Sequence, residues 1–260
     1  MRVLFIGDIM GRPGREIVRK LLPGLKERHG VDLTIANGEN LAGGLGATPD
    51  VVREIVDAGV DVVTMGNHVW KRKEMVRAID DLDYVVRPAN YPEGTPGRGS
   101  ILYDKGGIKL GIVSVLGRVF MNTLDCPFRV GEREIAALRQ STTNIVVDVH
   151  AEATSEKKAL GWYFDGTVSA VIGTHTHVQT CDETILPGGT GYITDAGMTG
   201  GQRSVIGIKR EGAISRFLSQ MPIQFEVAEE GASLCGVVFE LDTETGTTRE
   251  IFRLTEVSEV

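Results

Sequence analysis

The N-terminal part of the chain repeats one pattern three times: an apolar run, a polar segment containing glycine, and a stretch with helical spacing. The apolar runs cover residues 3–6, 33–36 and 62–65. A short, uninterrupted apolar run is typical of a strand buried on both faces, and strands that alternate with helices form parallel sheets. The sequence therefore predicts an α/β fold, with helices over 15–28, over 49–58 and from Lys71 onward.

The rest of the chain departs from this repeat. Residues 100–116 predict a hairpin that turns at Lys105-Gly106-Gly107, and residues 145–149, 169–172 and 191–193 predict further strands. Helical spacing covers 132–140 and 152–163, whereas residues 221–256 alternate like antiparallel strands. We therefore expect a mixed sheet system whose second half is partly antiparallel.

Length and composition favour a single domain over residues 1–260. The chain is 42% hydrophobic, enough for one large core, and no linker-like or repeated segment marks a boundary. Its cysteines (Cys126, Cys181 and Cys235) are far apart, so we interpret them as reduced core residues rather than a disulfide framework or a thiolate zinc site. No secretion signal or membrane-spanning run is visible, which predicts a cytoplasmic protein without a membrane partner.

The net charge of −7 argues against a protein that binds extended nucleic acid. Such proteins usually carry a basic face that replaces the counterions around the phosphates. A small anionic substrate attracted by a bound metal ion fits an acidic chain better, because the cation reverses the local field.

Metal-binding side chains follow the apolar runs. Asp8, Glu39 and Asn67 each stand at or just beyond the end of a predicted strand, where α/β folds bind their ligands. Four of the five histidines occupy equivalent positions: His68, His150, His175 and His177. Nitrogen and oxygen donors without a thiolate suit manganese, iron or zinc better than calcium, which prefers oxygen alone.

Taken singly, these residues have ordinary structural explanations. Asp8 could cap the helix that follows it, the asparagines could stand in turns, and His150 could be a hydrogen-bonded core histidine. Glu39 beside a glycine, and His175 with His177 behind another glycine, are harder to explain in this way. The set as a whole favours a metal site.

The motifs resemble the calcineurin-like metallophosphoesterase superfamily. Its pattern is matched in order over residues 5–177 by Gly7-Asp8, Gly38-Glu39-Asn40, Gly66-Asn67-His68, His150 and Gly173-Thr174-His175-Thr176-His177. Two positions depart from it: Met10 stands where the superfamily usually has histidine, and Glu39 where it usually has aspartate. Both departures make the chain similar to the YmdB-like branch, whose members act on cyclic nucleotide phosphodiesters. The fold implied is a layered α/β/β/α sandwich with mixed sheets.

The resemblance also implies a role for each residue. Asp8 and His177 would hold a first metal ion, with Asn40 in place of the missing histidine. Asn67, His150 and His175 would hold a second. Glu39 would bridge the two ions, and His68 would bind no metal but act on the leaving-group oxygen as a general acid or electrostatic clamp. The expected cofactors are two ions of iron or manganese, with zinc as the alternative.

The function implied is a metal-dependent phosphodiesterase that hydrolyses small phosphodiesters, such as 2′,3′- or 3′,5′-cyclic nucleotides, by a bridging hydroxide on a dinuclear centre. A phosphomonoesterase remains open, because the same metal core serves both reactions. A regulatory protein that binds metal or nucleotide without turnover is favoured by Met10, and a flavodoxin-like nucleotide binder is favoured only by the glycines around Asp8. The resemblance and the antiparallel tail also suggest a homo-oligomer.

Several other residues have two interpretations. Arg12 and Arg15 could contact a phosphate or simply begin a helix, and Arg118 with Phe120 could line the pocket or lie on an ordinary surface. Asp195 could support a metal-binding histidine, and residues 197–207 could form a loop over the site or an ordinary connection. His29 is expected at a helix C-terminus, with no chemical role.

Overall fold

The computed structural model describes residues 1–257. In chain order, its strands are β1 (Arg2–Ile6), β2 (Asp8–Ile9), β3 (Leu33–Asn37), β4 (Val62–Thr64), β5 (Val85–Val86), β6 (Ser100–Lys105), β7 (Ile108–Leu116), β8 (Ile145–His150), β9 (Ala170–Thr174), β10 (Thr184–Ile185), β11 (Gly191–Ile193), β12 (Met198–Gly201), β13 (Ala232–Leu241) and β14 (Thr248–Val257). The helices are α1 (Gly11–His29), α2 (Pro49–Asp57), α3 (Lys73–Ala78), α4 (Pro127–Leu138), α5 (Thr154–Phe164) and α6 (Arg210–Ser219), with a 3-10 turn at Ile79–Asp81.

The strands form two mixed sheets. The first has the order β2-β12-β13-β1-β3-β4-β5, with β14 paired to β13, and its β1, β3, β4 and β5 run parallel. The second has the order β10-β11-β9-β8-β7-β6, and its four central strands are parallel while β6 and β10 are antiparallel edges. The mixed α/β architecture expected from the sequence is confirmed.

Alternation along each strand divides the core into three layers. In β1, Val3 and Phe5 face the second sheet, whereas Leu4 and Ile6 face the helices on the other side. One outer layer of the core lies between the first sheet and α1, α2 and α3. The other outer layer lies between the second sheet and α4 and α5. The order is therefore α/β/β/α, because each sheet buries one face against the other sheet and one face against helices.

Most predicted elements are present, with corrections to some of their bounds. Helix α4 begins at Pro127 rather than at residue 132. Helix α1 begins at Gly11 rather than at residue 15, since its first residues pack closely against β12: a Cβ on Gly14 would lie 2.5 Å from the Thr199 carbonyl oxygen. The antiparallel tail begins only at Ala232, so residues 221–231 do not continue it, apart from one bridge at Val227. Helix α6 was not predicted. Ala213 is its one buried residue, so the helix has no apolar stripe that the sequence pattern could show.

The fold brings the ends of successive strands to one edge. The carboxyl ends of β3 and β4 in the first sheet, and of β8 and β9 in the second, lie at the same edge of the sandwich and carry the residues singled out by the sequence. Within residues 1–257, no helix has the length and apolar character needed to cross a membrane.

Candidate metal centre

A layer of polar residues closes the apolar core between the sheets. Near the carboxyl ends of four strands, one inward-facing position is polar and fully buried, although the inward positions before it are apolar. These residues are Asn37, Thr64, Asp148 and Thr174. The carboxylate of Asp148 accepts hydrogen bonds from the other three, at 3.1 Å from Asn37 Nδ2, 2.5 Å from Thr64 Oγ1 and 2.7 Å from Thr174 Oγ1.

Four potential ligands converge above this layer. His150 Nε2 lies 3.0 Å from Asn67 Oδ1, 3.0 Å from His175 Nδ1 and 3.2 Å from Glu39 Oε2. Donor atoms of Glu39, His150 and His175 lie within 4.8 Å of one another, which is compatible with one shared metal ion. These are the residues expected around the second metal ion, together with the expected bridging carboxylate.

A second group lies beside the first. Oδ1 of Asp8 is 3.8 Å from His177 Nε2 and 3.9 Å from His150 Nδ1, so one carboxylate is close to both histidines. The Asn40 amide nitrogen is 3.3 Å from His177 Nε2 and 3.2 Å from Glu39 Oε1. An asparagine binds metal through its oxygen, so the Asn40 amide would have to turn by half a rotation to serve as the proposed ligand.

His68 lies at the open side of these groups. Its Nδ1 is 2.8 Å from Asn40 Oδ1 and 3.0 Å from Glu39 Oε1, and its side chain is 25% exposed. Both neighbours accept hydrogen bonds, so Nδ1 carries a proton. Within the described residues, the other ring nitrogen has no protein partner, and it is available to a substrate.

The three candidate ligand histidines are each oriented by a partner on the far side of the ring. His150 Nδ1 lies 2.8 Å from Thr174 Oγ1, His175 Nε2 lies 3.1 Å from Glu152 Oε2, and His177 Nδ1 donates to the Ile206 carbonyl at 2.9 Å. Each partner keeps a proton on the outer nitrogen and turns the other nitrogen towards the site, where the neutral ring offers a lone pair. His175 and His177 also have positive φ angles of 97° and 65°, a strained conformation that is common at functional sites.

Burial and mutual charge shift the pKa values of this cluster. Burial raises the pKa of Asp8 to about 6. Burial also lowers the pKa of His150, but the carboxylates of Glu39, Asp8 and Asp148 outweigh it and raise the value to about 9. Burial, followed by the nearby charge of His150, lowers the pKa of His175 to about 3. In the metal-free protein these shifts favour a proton on His150, beside Glu39, at the position where a cation would be attracted.

Two observations test whether these residues fit a metal ion. Asp8 Oδ1 is buried without a hydrogen-bond partner, a costly state for a carboxylate oxygen that a cation would relieve. A Cβ added to Gly66 would collide with Glu39 Oε2 and His150 Nε2, so glycine keeps the space between the donors open. Three inward-facing imidazole nitrogens and the carboxylate oxygens match the chemistry of iron, manganese or zinc.

Comparison with known protein families matches residues 4–254 to the YmdB-like proteins. The chain belongs to the YmdB-like family. A Bacillus subtilis relative named 2′,3′-cyclic-nucleotide 2′-phosphodiesterase is 48% identical over 254 residues, which cover 98% of this chain and 96% of the relative.

Two solved structures share the fold of this YmdB-like chain along its whole length. A protein from Thermus thermophilus, described as hypothetical, is 46% identical with a TM-score of 0.93 and covers 99% of both chains. A Mycoplasma pneumoniae protein described as a novel phosphatase is 36% identical with a TM-score of 0.93, covering 99% of this chain and 93% of its own. The family expected from the motifs is confirmed.

Met10, the departure from the superfamily pattern, is a packing residue in this YmdB-like chain. It is 4% exposed, and its side chain fills the space left by two glycines: a Cβ on Gly44 or Gly207 would lie 2.7 or 2.5 Å from it. It therefore joins the segment after Asn40 to the segment that carries Ile206. Position 10 itself therefore offers no nitrogen or oxygen ligand in place of the missing histidine.

The arginines after Asp8 are paired with carboxylates outside the proposed ligand set of this YmdB-like chain. Arg12 pairs with Glu229 at 2.6 Å, and Arg15 pairs with Glu54 at 2.7 Å while donating to the Leu41 carbonyl. These contacts favour the interpretation of both residues as part of the start of the helix, and the phosphate contact stays a prediction. They link α1 to neighbouring segments.

Asp195 and the following segment support the histidine loop. Asp195 accepts from the Thr176 amide at 3.1 Å and pairs with buried Lys157 at 2.6 Å, so it holds the backbone between His175 and His177 rather than a ring. Residues 197–207 contain β12 and supply the carbonyl that orients His177. His29 ends α1, as expected, and packs against Phe252.

Sequence reasoning missed the residues behind the ligands. Asp148 could have been found, because it is a charged residue inside an apolar strand and lies two positions before His150, on the same face. Glu152 and the Ile206 carbonyl gave no such signal, because their role depends on how separate loops pack together.

Proposed function

We propose that this chain is a metal-dependent phosphodiesterase that hydrolyses small cyclic phosphodiesters, with 2′,3′-cyclic nucleotides as the preferred class. The observation that carries the proposal is the convergence of Glu39, His150 and His175, with His68 beside them, at one edge of the sandwich. The name of the Bacillus subtilis relative supports the choice of substrate.

The proposed cofactors are two metal ions, of iron or manganese, with zinc as the alternative. When bound, such ions lower the pKa of water and neutralise charge on the phosphate. Asp8, Asn40 and His177 would hold one ion, and Asn67, His150 and His175 the other. Glu39 lies between the two groups, where its negative charge would offset the repulsion between two cations.

The protein residues then account for the proton transfer. Water attacks phosphorus, a new P–O bond forms, and the bond to the 2′-oxygen breaks, which leaves a nucleoside 3′-phosphate. The departing oxygen needs a proton, and His68 would deliver it from the ring nitrogen on the open side of the site, which must itself carry a proton for this step. The proton released by the attacking water would then restore that proton, so the step balances. The histidine partners Thr174, Glu152 and Ile206 keep the donor nitrogens aligned before substrate arrives.

The test is hydrolysis of 2′,3′-cyclic AMP and of bis(p-nitrophenyl) phosphate by protein loaded with manganese or iron. Glu39→Gln keeps the shape of the side chain but removes its charge, so it should abolish most of the turnover. Full activity of that variant with its metal still bound would refute the mechanism. Metal content is measured on the same samples.

A phosphomonoesterase is the second candidate, favoured by the Mycoplasma pneumoniae protein described as a phosphatase. Comparing p-nitrophenyl phosphate with bis(p-nitrophenyl) phosphate separates the two activities. A higher kcat/KM for the monoester would favour the second candidate over the first.

The chain is also proposed to self-associate through α6. Ile214, Phe217 and Leu218 lie at i, i+3 and i+4 on one face of this helix and are 53–82% exposed. Met221, just beyond the end of the helix, is 63% exposed. Light scattering of the wild-type protein and of Leu218→Glu tests this. The cytoplasmic location expected from the sequence stays a prediction.

A further inference from the structure

The loop that follows β7 exposes an aromatic side chain, and its backbone adjoins that of the candidate ligand His150. Arg118, Val119 and Phe120 are all exposed, and Phe120 is 89% exposed, the largest value among the exposed large hydrophobic residues. Phe120 also has a positive φ of 62°, which is rare for a bulky residue. A strained and solvated phenylalanine costs free energy in the isolated chain, so its position calls for a binding partner.

This loop is fixed from below. The carboxylate of Glu156 is 8% exposed and accepts hydrogen bonds from the amides of Arg118 and Val119 at 3.0–3.1 Å. A Cβ on Gly117 would lie 2.5 Å from the Ala151 Cβ, so the loop lies directly on the segment after His150. The backbone just before Phe120 is therefore held in place by hydrogen bonds and packing.

The loop borders the second group of ligands. Gly117 donates its amide to the His150 carbonyl at 3.0 Å, and Leu116 is the register partner of His150. Ala151, on which Gly117 packs, is followed by Glu152, the partner of His175. The exposed residues 118–120 thus begin one residue away from the backbone that carries the site.

We propose that Phe120 is the stacking platform for the nucleobase of the substrate. This inference depends on the proposed function and adds a subsite to it: the metal centre holds the cyclic phosphate, and the ring of Phe120 covers one face of the base. Aromatic stacking tolerates every base, because each base has a π face. The platform therefore selects nucleotides over other phosphodiesters without selecting one nucleotide.

The experiment compares two substrates that differ only in the base. One is 2′,3′-cyclic AMP, and the other is methyl β-D-ribofuranoside 2,3-cyclic phosphate, which has the same phosphodiester and no base. For Phe120→Ala, we expect the KM for 2′,3′-cyclic AMP to rise about 5- to 100-fold. The kcat for the nucleotide, and both constants for the abasic substrate, should stay within about twofold, because stacking adds binding without touching the phosphate.

Two variants serve as controls. Phe120→Trp should keep the nucleotide KM near or below the wild-type value, because a larger ring stacks at least as well. Trp162→Ala removes another exposed aromatic side chain, which lies near the C-terminal end of α5 and is 60% exposed. This variant should leave kcat and KM unchanged for both substrates.

The outcomes separate the inference from the proposed function. An equal KM increase for both substrates, or none for either, overturns the platform while the activity stands. A changed oligomeric state of Phe120→Ala with an unchanged nucleotide KM also overturns it, since Phe120 would then be a contact between copies. If the wild-type protein hydrolyses neither substrate, the proposed function itself fails.

Discussion

Thr174 Oγ1 lies 2.8 Å from Nδ1 of His150 and donates its own proton to Asp148. A hydroxyl has one proton to give, so the contact with His150 requires that the imidazole be the donor. The tautomer of the neutral His150 ring is thereby determined, with its proton on Nδ1 and its Nε2 lone pair available to a cation once the Nε2 proton is displaced.

Thr174→Val should therefore weaken metal binding. Valine keeps the shape and burial of the side chain but cannot accept from His150, so the ring loses its preferred tautomer and orientation. We expect the metal affinity to fall roughly 10- to 100-fold, as for other partners of metal-binding histidines. Titration of metal-free protein with Mn²⁺ measures this, and Thr174→Ser, which keeps the hydroxyl, should bind like wild type. Equal affinities of the valine and serine variants would contradict the role of the hydroxyl.

Gly66→Ala should remove metal from the site with little change in the rest of the fold. The added methyl would collide with Glu39 Oε2 and His150 Nε2, the two atoms that border the proposed ion. We expect most of the bound metal to be lost, as measured by elemental analysis after dialysis. Gly24→Ala is the control, because a Cβ there meets nothing within 4 Å. That helical substitution should keep the metal and raise the free energy of unfolding by up to about 1 kcal/mol.

Lys157→Met should destabilise the protein. The ion pair between Lys157 and Asp195 is buried, with side chains 0% and 1% exposed, and removing the cation leaves the Asp195 charge without its partner. The free energy of unfolding in urea should fall by about 3–5 kcal/mol. The double variant Lys157→Met with Asp195→Asn should lose less than the sum of the two single changes. A loss below about 1 kcal/mol in the single variant would show that the pair is not important for stability.

The candidate metal ligands could be predicted from the sequence, whereas the residues that orient those ligands mostly could not. His150 ends β8 and Glu39 lies two residues beyond the end of β3, and a strand end is visible as the point where an apolar run stops. Glu152 shows no such pattern, because its contact with His175 arises only when the loop after β9 returns to the start of α5. Distances between loops depend on tertiary packing, which a local pattern does not contain.

The same reason explains the missed and shifted helices. Helix α6 leaves Phe217 and Leu218 exposed, so it lacks the buried stripe by which sequence periodicity detects a helix. The glycines and proline at the start of α1 resemble a loop, yet packing of Gly14 against β12 allows the helix to begin at Gly11. Predictions were correct where burial produces a pattern along the sequence, and they failed where contacts between segments decide the conformation.

Metal binding should release protons near neutral pH. In the metal-free protein, neighbouring carboxylates overcome the effect of burial and raise the pKa of His150 to about 9, so this ring is protonated at pH 7.5. A metal ion requires the neutral ring, and its binding must displace that proton. The apparent affinity should therefore rise with pH up to about 9, and should fall more steeply below about 6, where Asp8 also becomes protonated. Calorimetric titration with Mn²⁺ at pH 7.5, in buffers of different ionisation enthalpy, measures the protons released; a value near zero would contradict a protonated His150.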